Sequence, residues 1–238
     1  MWKIHHFAET DSTNRLAAAG AAGDVFTADH QTAGRGRLDH KWLSKPGENL
    51  MMSAIVDIAG IEPAEAATFP LAVGFAVADA LSQMTPEILL KWPNDIVLAA
   101  DGTVFRKLSG ILCERHGDCV IAGIGVNIRQ TEFPPEISSR ATSLQLLGCD
   151  ATVVVVRDAI LDSLSRVIEV WRSHGFASLL PRISKIDGLH GRSVTIRRTD
   201  DDDVGVSGVC RGIASDGSLI VGDERIYAGE AHVMATSL

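Results

Sequence analysis

Residues 108–125 read LSGILCERHGDCVIAGIG, and their patterning decides what kind of core the chain builds. Leu108–Glu114 and Cys119–Gly125 are two largely apolar runs of strand length, joined at His116-Gly117-Asp118. Towards the N-terminus, Ile96–Ala100 and Ile88–Trp92 read as shorter strands. The first runs into an Asp101-Gly102 turn signal and the second is ended by Pro93. Leu50–Ile58 is apolar almost throughout, as a buried strand would be. Val25–Asp29 and the alternating residues 1–8 complete the strands of this part. Thr10–Asn14 offers several helix caps before Leu16–Ala19, with Gly20 and Gly23 as stops. Apolar residues at helical spacing predict helices over Pro63–Met84 and Thr152–Leu180. Residues 31–49 and 129–143 read as long loops, and loops of that length in a compact domain are usually functional lids or disordered.

The composition changes near Ile186-Asp187-Gly188. Short strand candidates follow at 192–198, 204–211, 218–222 and 225–227, separated by turn signals at Asp200–Asp203, Ser215-Asp216-Gly217 and Gly222-Asp223. Evenly spaced short strands predict a small β-barrel, too short to stand alone and so expected to pack onto the first domain.

The chain has 238 residues, a net charge of −8, 46% hydrophobic and 22% charged residues, which suits a globular protein with its own core. No Lys/Arg stripe forms, and Arg197-Arg198 is followed at once by aspartates, so the electrostatic footprint of nucleic-acid binding is missing. Cys113, Cys119, Cys149 and Cys210 make no CxxC pair and have no His at metal-ligand spacing, so reduced cytosolic thiols are expected. The N-terminus lacks a signal-peptide h-region and no apolar run is expected to span a bilayer.

Four segments carry chemistry, each beside a plainer reading. In Gln31-Thr32-Ala33-Gly34-Arg35-Gly36-Arg37, glycines let backbone N–H groups approach a ligand while guanidinium forks clamp phosphate or carboxylate. The plainer reading is a flexible basic loop. Lys91-Trp92-Pro93-Asn94-Asp95 leaves an amide and a carboxylate at a strand end, suited to nucleotide, lysine or Mg²⁺, or else is a capped turn. Lys107-Leu108-Ser109-Gly110-Ile111-Leu112 opens an apolar strand with a lysine that could stabilise charge at a reaction centre, or merely snorkels. Gly123-Ile124-Gly125-Val126-Asn127 has alternating glycines that mark close approach by a ligand, or a bulge.

Jointly and in order, with Asp11-Ser12-Thr13-Asn14 before them and Gly34-Arg35-Gly36-Arg37-Leu38-Asp39-His40-Lys41-Trp42 extended to its tryptophan, these motifs resemble the biotin–protein ligase family. The resemblance runs from about residue 8 to the C-terminus. His40 departs from it, standing where the family pattern has a third arginine. The resemblance implies an α+β fold: a mixed β-sheet catalytic domain of the class II synthetase/biotin–lipoate ligase type with helices packed on it (residues 1–187), plus a small SH3-like C-terminal β-barrel (residues 188–238).

It also implies ATP-dependent activation of biotin to biotinyl-5′-AMP, with Mg²⁺, and transfer to a lysine of a biotin carboxyl carrier domain in the cytoplasm, by a monomer or homodimer. Lys107, Arg35, Arg37 and Asp95 would be catalytic. Ser12, Thr13, Asn14, Gln31, Gly34, Arg35, Gly36, Arg37, Lys107, Gly110 and Gly125 would hold biotin. Arg35, Arg37, Trp42, Asn94, Lys107 and Asn127 would hold the nucleotide, and no side-chain metal cage is expected. Lipoate–protein ligase is the neighbouring alternative, and a catalytically silent biotin-binding module a further one. The motifs begin by residue 11, so an N-terminal helix-turn-helix repressor domain is not expected.

Overall fold

The structure is a computed structural model describing residues 1–37, 40–100, 104–197 and 205–234. The Asp101-Gly102 and Asp200–Asp203 turns, with Leu38 and Asp39, lie outside the described residues.

A seven-stranded mixed sheet organises the first part, in the order β1-β2-β3-β7-β6-β5-β4. Its strands are β1 Lys3–Thr10, β2 Asp24–Gln31, β3 Asn49–Asp57, β4 Leu89–Lys91, β5 Asp95–Ala99, β6 Phe105–His116 and β7 Cys119–Asn127. β1 and β2 are parallel, linked through the short helix α1 (Thr13–Ala17); all other neighbours are antiparallel. β3 is buried on both faces as its composition predicts. Leu50, Met52, Ala54 and Val56 point into the main core, while Ile55 meets Ala17 of α1 and Ile121 on the other face.

Two helices cover the core face. α3 (Phe69–Leu81) is almost wholly buried between the sheet and α4 (Val153–His174). α4 turns Val156, Ile160, Leu164, Val167, Ile168 and Trp171 inward. Thr152 caps it, its Oγ1 accepting from Val155 N at 3.3 Å, and Trp171 Nε1 donates to Thr68 Oγ1 at 2.9 Å. The single helix expected over 63–84 is broken: α2 is Pro63–Ala66 and α3 begins at Phe69. Pro70 explains the break, since its ring would clash with the carbonyl of Ala66 in a continuous helix. Pro63–Leu81 is, contrary to expectation, long and apolar enough to cross a membrane by length and composition; 67% of it is buried inside the protein, as a core helix would be. α4 ends at Gly175, whose φ of 75° leaves the helical region, and a 3₁₀ turn leads into α5 (Leu180–Ile183).

A five-stranded antiparallel sheet follows, ordered β11-β10-β9-β8-β12. It comprises β8 Ser193–Arg197, β9 Val206–Ile213, β10 Leu219–Val221, β11 Glu224–Ile226 and β12 Glu230–Val233. It is the small SH3-like domain. β12 was not among the expected strands. The inner residues Val194, Ile196, Cys210 and Leu219 share one continuous core with the first sheet. Leu90 N donates to Ile186 O and Gly188 N to Leu90 O, which binds the connecting segment to the β4 edge.

Candidate active site

The face of the large sheet turned away from α3 and α4 carries a cleft of about 330 Å³. That volume suits a small-molecule ligand. Register explains its floor. Gly110 pairs with Gly125, and Leu112 with Gly123, so two glycines of β7 and one of β6 lie side by side on this face. A Cβ on Gly125 would lie 2.6 Å from Trp42 Cε2, and one on Gly123 would enter the Asn14 carboxamide. Glycine is therefore required at both positions by close approach.

A bulge in β6 aims the lysine. Ile96 pairs with Ser109 but Val97 pairs with Lys107, so two steps of β6 oppose one of β5. In a regular strand Lys107 and Gly110 would face opposite sides; the bulge turns both to the cleft. Lys107 Nζ then lies 2.6 Å from Asp95 Oδ1 and 5.9 Å from the centre of the Trp42 ring.

The described residues of the loop at 31–49 are held by backbone hydrogen bonds. Trp42 N donates to Gly34 O and Gly36 N to His40 O, which pairs residues 34–36 with residues 40–42 as the two arms of a small hairpin over the floor. The indole Nε1 of Trp42 is buried without a hydrogen-bond partner. Such a donor costs free energy unless a ligand satisfies it.

One end of the cleft is neutral and polar. Thr13 N donates to Gln31 Oε1 at 2.7 Å, and Ser53 Oγ stands 2.7 Å from Thr13 Oγ1 and 2.6 Å from Asn14 Oδ1. Ser12, Thr13 and Asn14 are all buried. Asn14 spends its amide on the protein: Nδ2 donates to Glu114 Oε2 at 2.6 Å and Leu112 O at 3.3 Å.

The other end is cationic. Arg37, Lys91, Lys107 and Arg140 line it, against the carboxylates of Asp95 and Glu230. Burial lowers the pKa of both Arg37 and Lys91, while Asp95 and Glu230 oppose that shift and Lys107 and Arg140 add to it at Lys91. Arg37 Nη1 donates to Asn94 Oδ1 at 3.2 Å and to Gly229 O at 3.5 Å. Asn94 Nδ2 in turn donates to Ile111 O at 2.8 Å. Asn127 Nδ2 donates to Thr142 O at 3.0 Å and so ties the 129–143 loop beside Lys107, whose backbone bridges Ala141; Asn127 Oδ1 is buried without a partner.

Among the described residues no three or more His, Cys, Asp or Glu side chains form a metal cage. Mg²⁺ arriving on a triphosphate needs only one or two protein carboxylates, and Asp95 and Glu230 are the carboxylates that line this cleft.

Residues 8–128 match the model of the Biotin/lipoate A/B protein ligase family. The chain belongs to this family. The "Bifunctional ligase/repressor BirA" of Escherichia coli (strain K12) is 30% identical over 227 residues, covering 91% of this chain and 68% of that protein. The "Biotin--[acetyl-CoA-carboxylase] ligase" of Mycobacterium tuberculosis is 37% identical over 180 residues, 70% of this chain and 64% of that protein. The structure of a biotin protein ligase from Aquifex aeolicus in complex with biotin and ATP superposes with a TM-score of 0.84 at 28% identity, over 99% of this chain and 100% of that one. Within the family the likeness is thus to biotin protein ligases.

Measured against the ligase motifs, the cleft gathers Ser12, Thr13, Asn14, Gln31, Arg35, Gly36, Arg37, Trp42, Asn94, Asp95, Lys107, Gly110, Gly125 and Asn127. Gly34 lies under Trp42, and Gly36 pairs with His40. The two arginines of the loop part company. Arg37 joins the cationic end, but Arg35 Nη1 lies 3.2 Å from Glu114 Oε1, four residues along β6 from Gly110. Arg35 thus lines the cleft beside Glu114 rather than at the cationic end. Lys91, Arg140, Glu114 and Glu230 were missed. Lys91 sits inside a quoted motif, whereas Arg140 and Glu230 have no local signal and arrive by tertiary contact.

Proposed function

We propose that this chain activates biotin with ATP to biotinyl-5′-AMP and transfers the biotinyl group to a lysine of a biotin carboxyl carrier domain. Biotin–protein ligation is the activity that family membership supports. The finer reading rests on one arrangement: a single cleft with a neutral hydrogen-bonding end, a glycine floor and a cationic end, in line.

Biotin is a neutral ureido ring carrying a carboxylate on an apolar tail. Thr13, Ser12 and Gln31 offer donors and acceptors to the ring, and Gly110 and Gly125 leave room for Lys107 and Trp42, which would flank the tail. The carboxylate then faces Lys107. In the first step a carboxylate oxygen bonds to the α-phosphorus of ATP, the bond to the β-phosphate bridge breaks and pyrophosphate leaves. Two anions must meet, and Lys107 and Arg37 offset their repulsion. One donor of this kind is worth about 2.7–4 kcal/mol. Mg²⁺, held through Asp95 and Glu230, would neutralise phosphate charge. In the second step the acceptor amine attacks the anhydride carbonyl, the acyl C–O bond breaks with its electron pair leaving on the phosphate of AMP, and the amine proton passes to solvent. Asp95, already paired with Lys107, orients that amine. Trp42 and the hairpin arms beside it exclude water from the anhydride.

A division at 187/188, a cytoplasmic setting, and a monomer or homodimer belong to the same proposal. ATP–pyrophosphate exchange with biotin, and separately with lipoate, tests it. Exchange driven by biotin alone is expected. Exchange with lipoate alone would make the chain a lipoate ligase, and exchange with neither would make it a binding module.

A further inference from the structure

Glu114 was not among the expected site residues, yet both its carboxylate oxygens are engaged by segments that build the cleft. Oε2 accepts from Asn14 Nδ2 at 2.6 Å and Oε1 faces Arg35 Nη1 at 3.2 Å. Asn14 opens the segment carrying Thr13; Arg35 lies in the hairpin carrying Gly34, Gly36 and Trp42. Register puts Glu114 opposite Ile121, on the same face as Gly110 and Leu112, so its side chain rises between the two segments.

We propose that Glu114 is a positioning residue that fixes the separation between the start of α1 and the glycine–arginine hairpin, and thereby the width of the neutral end of the cleft. This rests on the biotin-ligase reading for its substrate. Three observations argue against an idle surface pair. Each oxygen has its own partner from a different segment. Asn14 is only 6% exposed and its acceptor oxygen meets Ser53 Oγ, so it cannot swing to another donor. The hairpin is pinned twice on this surface, by Asn94 through Arg37 at the cationic end and by Glu114 through Arg35 at the neutral end. Loss of the second pin leaves the chemistry at Lys107 in place and loosens the grip on the ring.

The test compares wild type, Glu114→Gln, Arg35→Ala and the double variant. Glutamine keeps an acceptor for Asn14 but removes the charge facing Arg35. Without any ligand, amide hydrogen exchange in residues 34–42 is expected to quicken about fivefold in each single variant, the scale of a half-exposed ion pair. The double variant should be no faster than either single one. Exchange at wild-type rates in Glu114→Gln, or additive effects in the double variant, would overturn the proposal whatever the substrate is. With biotin, KM should rise more than kcat falls, and Arg35→Lys should restore part of the loss. A Glu114→Gln enzyme with wild-type KM for biotin would also overturn it. A wild type that never uses biotin would instead sink the ligase reading and leave the exchange result standing.

Discussion

Lys107 and Asp95 stand on adjacent strands with Nζ and Oδ1 2.6 Å apart, and they meet because a bulge skips Leu108 in the pairing of β6 with β5. The pair holds the ammonium where a carboxylate and a phosphate must converge. Lys107→Ala is expected to lower biotin-dependent pyrophosphate exchange by about 10²–10³-fold, with thermal stability close to wild type. An exchange rate within a few fold of wild type would remove Lys107 from the chemistry.

Arg37 ties the hairpin to Asn94 and to the Gly229 carbonyl of the second domain. Arg37→Gly deletes both ties and one cation. The variant should still form biotinyl-5′-AMP but release it at least about tenfold faster, since one charge-assisted hydrogen bond is worth about 1.5–3 kcal/mol. Gel filtration followed by quantification of the bound adenylate measures this; retention equal to wild type would contradict it.

Gly125 is the seat of the Trp42 ring, 2.6 Å from where a Cβ would stand. Gly125→Ala must lift Trp42 and the hairpin with it. Overpacking of this kind costs about 1–3 kcal/mol. We expect it as weaker biotin binding by calorimetry and a changed tryptophan emission, and an unchanged affinity would mean the ring leaves its seat freely.

Asp216 is held at a pKa of about 2, below its ordinary 3.8, chiefly by the Ser218 hydroxyl, then by Ser218 N–H, Tyr227 and Arg225. Its turn presents the Gly217 carbonyl to Trp92 Nε1 at 3.1 Å and so joins the second domain to the catalytic turn. The folded pKa is depressed, so the stabilisation is full above about pH 4 and fades as pH falls towards 2. Because the group is partly exposed, Asp216→Asn should cost only about 1 kcal/mol at neutral pH. Denaturant titrations should show the gap from wild type closing below pH 4; a gap constant with pH would show that the charge of Asp216 is not its source.

Much of the sheet was legible because β3 and β7 are nearly continuous apolar runs and β6 joins β7 through a short turn. The glycines at 123 and 125 announced a close approach, and Trp42 and Asn14 are what approaches. Local pattern failed where tertiary context decides. β12 pairs only with β8, over thirty residues earlier, and Glu230-Ala231-His232-Val233 shows no run of its own. The bulge that aims Lys107 depends on the partner strand. Arg35 and Arg37 look equivalent in a Gly-Arg-Gly-Arg string, and only the placement of Glu114 and Asn94 sends them to opposite ends. Glu230 reaches the cationic end from β12 of the C-terminal sheet, which no motif spacing encodes.

The central claim is met most directly by incubating the purified chain with biotin, Mg-ATP and a biotin carboxyl carrier domain, then measuring the intact mass of that domain. The account predicts addition of one biotinyl group at a single lysine, lost when that lysine is replaced by arginine. An unmodified carrier domain, under conditions where another biotin protein ligase modifies it fully, would contradict it.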